Sequence, residues 1–205
     1  MLSVRRLLTA LLLLPSIAAA ELTIEGVDRD LERNIRAFVS LATEPCDAEN
    51  WRVRRRFRSI ETEARKALEP FGFYKPAISA SLSMDDACWQ ASLMIEPGRP
   101  VVLRQVDISI DGAAATDAAF DDLVKPAPLV AGSALRHAEY DRLKKVLQVR
   151  AADRGYVDAT FTASRLEIWP EAGYADVTLK FDSGSRYRIA SVTQEQDFLD
   201  EEVVA

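Results

Sequence analysis

The sequence predicts an α+β protein made of one unit written twice, each copy laying two helices on a three-stranded sheet. Three observations predict it. The phrase FGFYKPAIS (Phe71 to Ser79) returns as RGYVDATFT (Arg154 to Thr162), with Gly72 and Gly155 separated by 83 positions. The same offset carries the apolar residues Phe57, Ile60, Ala64 and Leu68 onto Tyr140, Leu143, Leu147 and Ala151. After each glycine the apolar period changes from the helical spacing to the alternation of strands.

The chain opens on Arg5 and Arg6, an apolar run from Leu7 to Leu14, and Ala18-Ala19-Ala20. That order predicts a secretory leader over 1–20, cut before Glu21, and the apolar run is too short for a lasting membrane helix. Removing both arginines takes the formal charge from −6 to −8. An acidic balance argues against nucleic acid as a partner, since phosphate binding needs clustered positive charge.

The first unit begins with the short strand Leu22-Thr23-Ile24, stopped at Gly26, and a helix whose apolar face is Leu31, Ile35 and Phe38. A single second helix is expected over Val53 to Leu68, because Val53, Phe57, Ile60, Ala64 and Leu68 recur at steps of three and four. Its polar side holds the basic cluster Arg52, Arg54, Arg55, Arg56 and Arg58. This is either a solvated face neutralised by Glu61 and Glu63, or a patch for anionic lipid headgroups or an acidic partner. Trp51 beside it is an interfacial anchor or the first core residue.

Gly72 and Phe73 form the turn that ends the helix, where a left-handed residue suits glycine. Ile78, Ala80, Leu82 and Met84 then alternate with Ser79, Ser81 and Ser83 as a half-buried strand. Asp85-Asp86 turns the chain into the return strand Trp89, Ala91, Leu93 and Ile95, which ends at Pro97-Gly98.

The second unit repeats the plan. Its first strand is Val106 to Ile110, and Thr116 caps a first helix with Phe120, Leu123 and Val124 inward and Pro126 and Pro128 closing it. The second helix runs from His137 to Ala152, and Gly155-Tyr156 is its turn. Val157, Ala159, Phe161 and Ala163 are followed by Leu166 and Ile168 in the opposite phase, which predicts a bulge near Ser164 or Arg165. Ala175, Val177, Leu179 and Phe181 make the return strand. Gly184 and Val192 stand 86 positions after Gly98 and Val106, so a third unit starts with Tyr187 to Thr193, then Phe198 and Leu199. The divisions are therefore leader 1–20, first unit 21–99, second unit 100–184, and the opening of a third over 185–205.

Cys46 and Cys88 are the only cysteines, and in an exported chain such a pair predicts a disulfide, two free thiols being the alternative. The parity of Cys88, opposite to Trp89, Ala91 and Leu93, puts it on the face away from the helices. No metal or cofactor site is expected, with one histidine, His137, and no CxxC. No catalytic set is expected either: His137 has no nucleophile paired with it, and the Asp85-Asp86 and Asp121-Asp122 pairs read as turn and helix carboxylates.

Tandem strand-helix-helix-strand-strand units, each with Gly-aromatic after the second helix, resemble POTRA domains. The stretches RRRFRSIETEARKALEPFGFYKPAI, EPGRPVVLRQVDISIDG, AEYDRLKKVLQVRAADRGYVDA and FDSGSRYRIASV are similar to the amino-terminal region of the TamA family, within the BamA superfamily. The resemblance implies a non-enzymatic periplasmic scaffold at the outer membrane of a Gram-negative bacterium. It implies partners too: a TamB-like protein anchored in the inner membrane, unfolded outer-membrane clients such as autotransporters, and a carboxy-terminal barrel of the same full-length chain. On that basis the sequence is read as a fragment. A BamA-like or two-partner-secretion transporter is the alternative, and a secreted hydrolase the alternative of another class. The expected docking element is a sheet edge, Ile78-Ser79-Ala80-Ser81-Leu82-Ser83-Met84, or its counterpart Phe161 to Ile168.

Overall fold

The computed structural model describes residues 20–84, 88–124 and 129–193. The leader before residue 20, the Asp85-Asp86 turn, Pro126 and Pro128, and the third-unit residues Phe198 and Leu199 lie outside the described residues. The chain packs as two compact units. One holds the chain through Leu68 together with Pro76–Gly98, and the other holds Glu69–Lys75 together with Arg99 onward. The stretch Glu69–Lys75 lies inside the first sequence repeat yet packs with the second unit.

In the first unit the order is β1 (Glu21–Glu25), α1 (Arg29–Phe38), a 3-10 turn (Ser40–Thr43), α2 (Asn50–Phe57), α3 (Ile60–Leu68), β2 (Ala77–Met84) and β3 (Trp89–Glu96). The Asp28 carboxylate starts α1 by accepting from the Asp30 and Leu31 amides, both at 3.0 Å. The sheet order is β1-β3-β2, with β1 parallel and β2 antiparallel to the central β3. Along β3, Trp89, Ala91, Leu93 and Ile95 are buried while Gln90, Ser92, Met94 and Glu96 are exposed. On the helices of this unit Ile35, Val53, Ile60, Ala64 and Leu68 are buried as well.

The single helix expected over Val53 to Leu68 is two helices, broken at Arg58-Ser59. The break needs no proline or glycine. The Ser59 hydroxyl lies 2.9 Å from the Arg56 carbonyl and 2.8 Å from the Glu63 carboxylate, so it draws main-chain and side-chain partners away from a continuous helix.

The second unit contains β4 (Val102–Asp111), 3-10 turns at Gly112–Thr116 and Ala118–Phe120, the short α4 (Asp121–Val124), α5 (His137–Asp153), β5 (Thr160–Trp169) and β6 (Tyr174–Asp182). Its sheet order is β4-β6-β5, the first unit's plan again. Tyr140, Leu143, Leu147 and Ala151 of α5 are buried against Val177, Leu179 and Phe181. Four sequence expectations change here, the first being that Tyr187 to Thr193, expected as a strand, forms none. The cap is Asp117, which accepts from the Ala119 amide at 3.0 Å; Thr116 ends the preceding 3-10 turn and makes no cap bond. Val157 is 67% exposed and precedes the strand. The bulge falls between Phe161 and Ala163 rather than at Ser164 or Arg165.

The repeated glycines end their helices differently. At Gly155 the amide bonds the Ala152 carbonyl and the Tyr156 amide bonds that of Ala151, the paired closure of a Schellman end. At Gly72 one bond to the Glu69 carbonyl closes a 3-10 turn. Both glycines have positive φ, +89° and +84°. Both also do something the sequence does not announce. The Gly72 carbonyl accepts from the Val101 amide and the Gly155 carbonyl from the Tyr187 amide, each at 2.8 Å. A Cβ on Gly72 would stand 2.6 Å from the Leu135 carbonyl oxygen, and one on Gly155 2.5 Å from that of Tyr187. The phrase recurs because it receives the chain that follows it.

Candidate functional site

The two three-stranded sheets present four lateral edges, β1, β2, β4 and β5. An open edge is a template for another strand, and proteins blunt it with charge, bulges, shortness or a covering segment. Strand β1 is five residues long with glutamate at both ends. Strand β4 bulges at Arg104, carries Asp107 and Asp111, and is covered near its start by residues 132–135, which bond Val101 and Leu103. Strand β5 bulges at Thr162 and carries Arg165 and Glu167. Strand β2, AISASLSM, has eight residues in unbroken register with β3 and no charged side chain. It is the unguarded edge. Ser79, Ser81 and Ser83 lie exposed on one face, and Ile78, Ala80, Leu82 and Met84 are half-buried on the other.

Beside this edge runs an open groove of about 340 Å³ lined by Arg54, Phe57 and Arg58 and by Ala80, Ser81 and Leu82 of β2. The arginines of the basic cluster divide into two sets. Arg52 Nε lies 2.7 Å from Glu44 Oε2 and Arg56 Nε 3.3 Å from Glu44 Oε1, with Glu44 only 8% exposed. Among the described residues no carboxylate pairs with Arg54, Arg55 or Arg58. Of the two expected neutralising residues, Glu63 is engaged chiefly by serines. Glu63 accepts from the Ser40 amide at 2.7 Å and lies 2.9 Å from the Ser40 hydroxyl. Burial pushes its carboxyl up, but the Ser40 amide, the Ser59 and Ser40 hydroxyls and Arg56 outweigh this and hold it below the usual carboxylate range. Trp51 is 62% exposed and is no core residue.

Because the folded value is depressed, the stabilisation from Glu63 is present above the ordinary carboxylate pKa and fades as pH falls through the folded one. Glu63→Gln is therefore expected to flatten the acid limb of the first unit's urea midpoint measured against pH. An unchanged slope would remove Glu63 as the source.

Cys46 and Cys88 are joined in a disulfide with Cα atoms 4.8 Å apart. Cys88 is buried; it precedes the first residue of β3, so strand parity does not apply to it. Trp89 Nε1 donates to the Pro45 carbonyl at 3.1 Å. These two ties fix the loop that carries Glu44, and through Glu44 they set the arginine helix.

In the second unit Tyr156 donates its hydroxyl to Asp117 at 2.9 Å, and Arg154 reaches the same carboxylate at 3.0 Å. The Ala119 amide holds the Asp117 carboxyl below its usual range against desolvation, helped by Tyr156 and Arg154. The Tyr74 hydroxyl lies 2.6 Å from His137 Nε2, and burial, with Glu69 nearby, pushes that phenol up to about 12. Arg104, displaced by its bulge, stacks 3.8 Å over Tyr174 and bonds Asp176. Sequence reasoning missed Glu44, Asp117 and Arg104. Only Asp117 left a signal, as a capping residue type just before an apolar run.

Residues 21–97 match the family model for the first POTRA domain of TamA. This segment is a POTRA domain. The POTRA unit therefore runs from β1 to β3, and β2 is its open edge. Solved structures similar to this chain include POTRA domains 3–5 of BamA from Haemophilus influenzae, at 17% identity over 94% of this chain and 78% of that one, with a TM-score of 0.44. POTRA domains 1–3 of the periplasmic domain of Omp85 from Anabaena match at 21% identity over 79% of this chain and 58% of that one, with a TM-score of 0.36. Among the described residues no helix is long and apolar enough to cross a membrane.

Proposed function

We propose that this chain is the periplasmic scaffold of a TamA-like outer-membrane assembly factor, and that its first POTRA unit captures an extended strand of a client or partner along β2. The observation that carries the reading is the contrast among the four edges: β2 alone is long, regular and uncharged. Main-chain hydrogen bonds supply affinity there without demanding a fixed sequence. The occupants are unfolded outer-membrane proteins, autotransporters among them, or a strand of a TamB-like partner. A barrel in the same full-length chain would hold the scaffold at the outer membrane.

Successive amides of an edge strand point alternately toward the neighbouring strand and outward. Of Ala80→Pro and Ser81→Pro, one therefore removes an outward N–H and the other an amide bonded to β3. The variant that keeps the parent's circular dichroism should capture a urea-unfolded outer-membrane barrel protein at least tenfold more weakly. Equal capture by that folded variant would exclude pairing along β2.

A further inference from the structure

We infer that the groove beside β2 selects its strand by charge, taking an extended acidic segment in which an apolar side chain has a carboxylate two residues away on the same face. This rests on the edge-capture reading and names the chemistry of the occupant. The floor of the groove is apolar, formed by half-buried Phe57, Ala80 and Leu82. Arg54 and Arg58 stand on its rim, one helical turn apart, which is about 6 Å along a helix axis. Same-face side chains of a strand recur at about 6.8 Å, a comparable interval. Both arginines lack a carboxylate partner among the described residues, whereas their neighbours Arg52 and Arg56 share Glu44. A strand bonded to β2 would bring its helix-facing side chains to this rim. Acidic ones would complete the two charges at close range.

The second unit supplies the comparison. At the 83-residue offset, Arg54 becomes His137, Phe57 becomes Tyr140, Arg58 becomes Asp141 and Ser81 becomes Ser164. The bulge at Thr162 shifts β5 by one residue, so Ser164 pairs with the buried Leu179, whereas Ser81 pairs with the exposed Ser92. Ser164 thereby lies 2.9 Å from the Tyr140 hydroxyl, and that bond ties α5 to its own edge strand. In the first unit Phe57 has no hydroxyl, and the Ser81 hydroxyl bonds Ser92 across the solvent face at 2.8 Å. One unit is closed and charge-mixed here; the other is open and basic.

The test uses the full chain and three fluorescent ten-residue peptides of alternating apolar and threonine residues. Two same-face positions carry glutamate, glutamine or lysine. The glutamate peptide should bind at least tenfold more tightly than the glutamine peptide at low salt, and the difference should shrink with added salt. In Arg54→Glu/Arg58→Glu the preference should invert toward lysine, an outcome that misfolding would not produce. Equal binding of all three peptides to the parent, weakened by the folded β2 proline variant, overturns the charge inference and leaves edge capture standing. Binding unaffected by that variant overturns both. If the peptides show no preference while the double variant loses binding to phosphatidylglycerol vesicles, the arginines serve a lipid surface and the inference is overturned.

Discussion

Valine in place of Gly155 is expected to destabilise the second unit by about 3–5 kcal/mol, enough to unfold most of it at room temperature. Two costs coincide. At φ +84° a β-branched residue occupies the left-handed region it resists. Its Cβ would also stand 2.5 Å from the Tyr187 carbonyl oxygen, a backbone atom held in place by the Tyr187 amide bond to Gly155 itself. Gly173 separates the two costs, because it has φ +75° and open space around a built Cβ. Gly173→Val should lose only the strain, about 1–2 kcal/mol. Hydrogen exchange at β6 amides should accelerate strongly in Gly155→Val while β3 amides keep the parent's rates. Equal losses at the two glycines would show that the close approach contributes nothing. Gly72→Val belongs with Gly155→Val: Gly72 packs with the second unit, so the damage should be read in β6, although the residue lies within the first repeat.

Reduction of the Cys46–Cys88 bridge is the other large expected effect, and it should fall on the first unit. The bridge spans 42 positions, and loop-closure entropy for such a span corresponds to about 4 kcal/mol as an upper figure. Reductant should lower the urea midpoint of the β3 amides and leave those of β6 where they were. A second consequence is local. Glu44 lies two residues before Cys46, so a loosened loop relaxes its hold on Arg52 and Arg56. If the midpoint is unmoved, the Trp89 bond to Pro45 and the Glu44 pairs suffice to hold the loop.

The fold was legible in the sequence because its signals are periodic. Tyr140, Leu143, Leu147 and Ala151 repeat a helix face, and Trp89, Ala91, Leu93 and Ile95 repeat a strand face, so burial follows from spacing alone. The helix break at Ser59 was not legible, since serine is tolerated inside helices and its effect depends on Glu63 and Arg56 standing within reach. The β5 phase change was visible, but its position depends on which residue the partner strand skips. The β2 edge was named from its alternating serines. What distinguishes it from β5 was not, because a bulge and a tyrosine-to-serine bond are facts of pairing. Glu44 was invisible for a similar reason: an acidic residue in a loop declares a partner only once the disulfide has set the loop beside α2.

Each sheet is centred on the last strand its unit contributes, β3 in one and β6 in the other, and this sets an order on how the chain can acquire structure during synthesis. Among the described residues the earliest strand, Glu21–Glu25, pairs with residues 90–94. At a typical 5–20 residues per second, the interval between Glu21 and Trp89 is roughly 3 to 14 seconds, against microseconds for a helix or hairpin to form. Throughout that interval β1 and β2 each lack the strand they pair with. Only the helices can form before β3 emerges, with their apolar faces uncovered. The nascent unit is therefore itself an unpaired, partly apolar chain, in need of the same kind of holding that its finished edge is proposed to give to others.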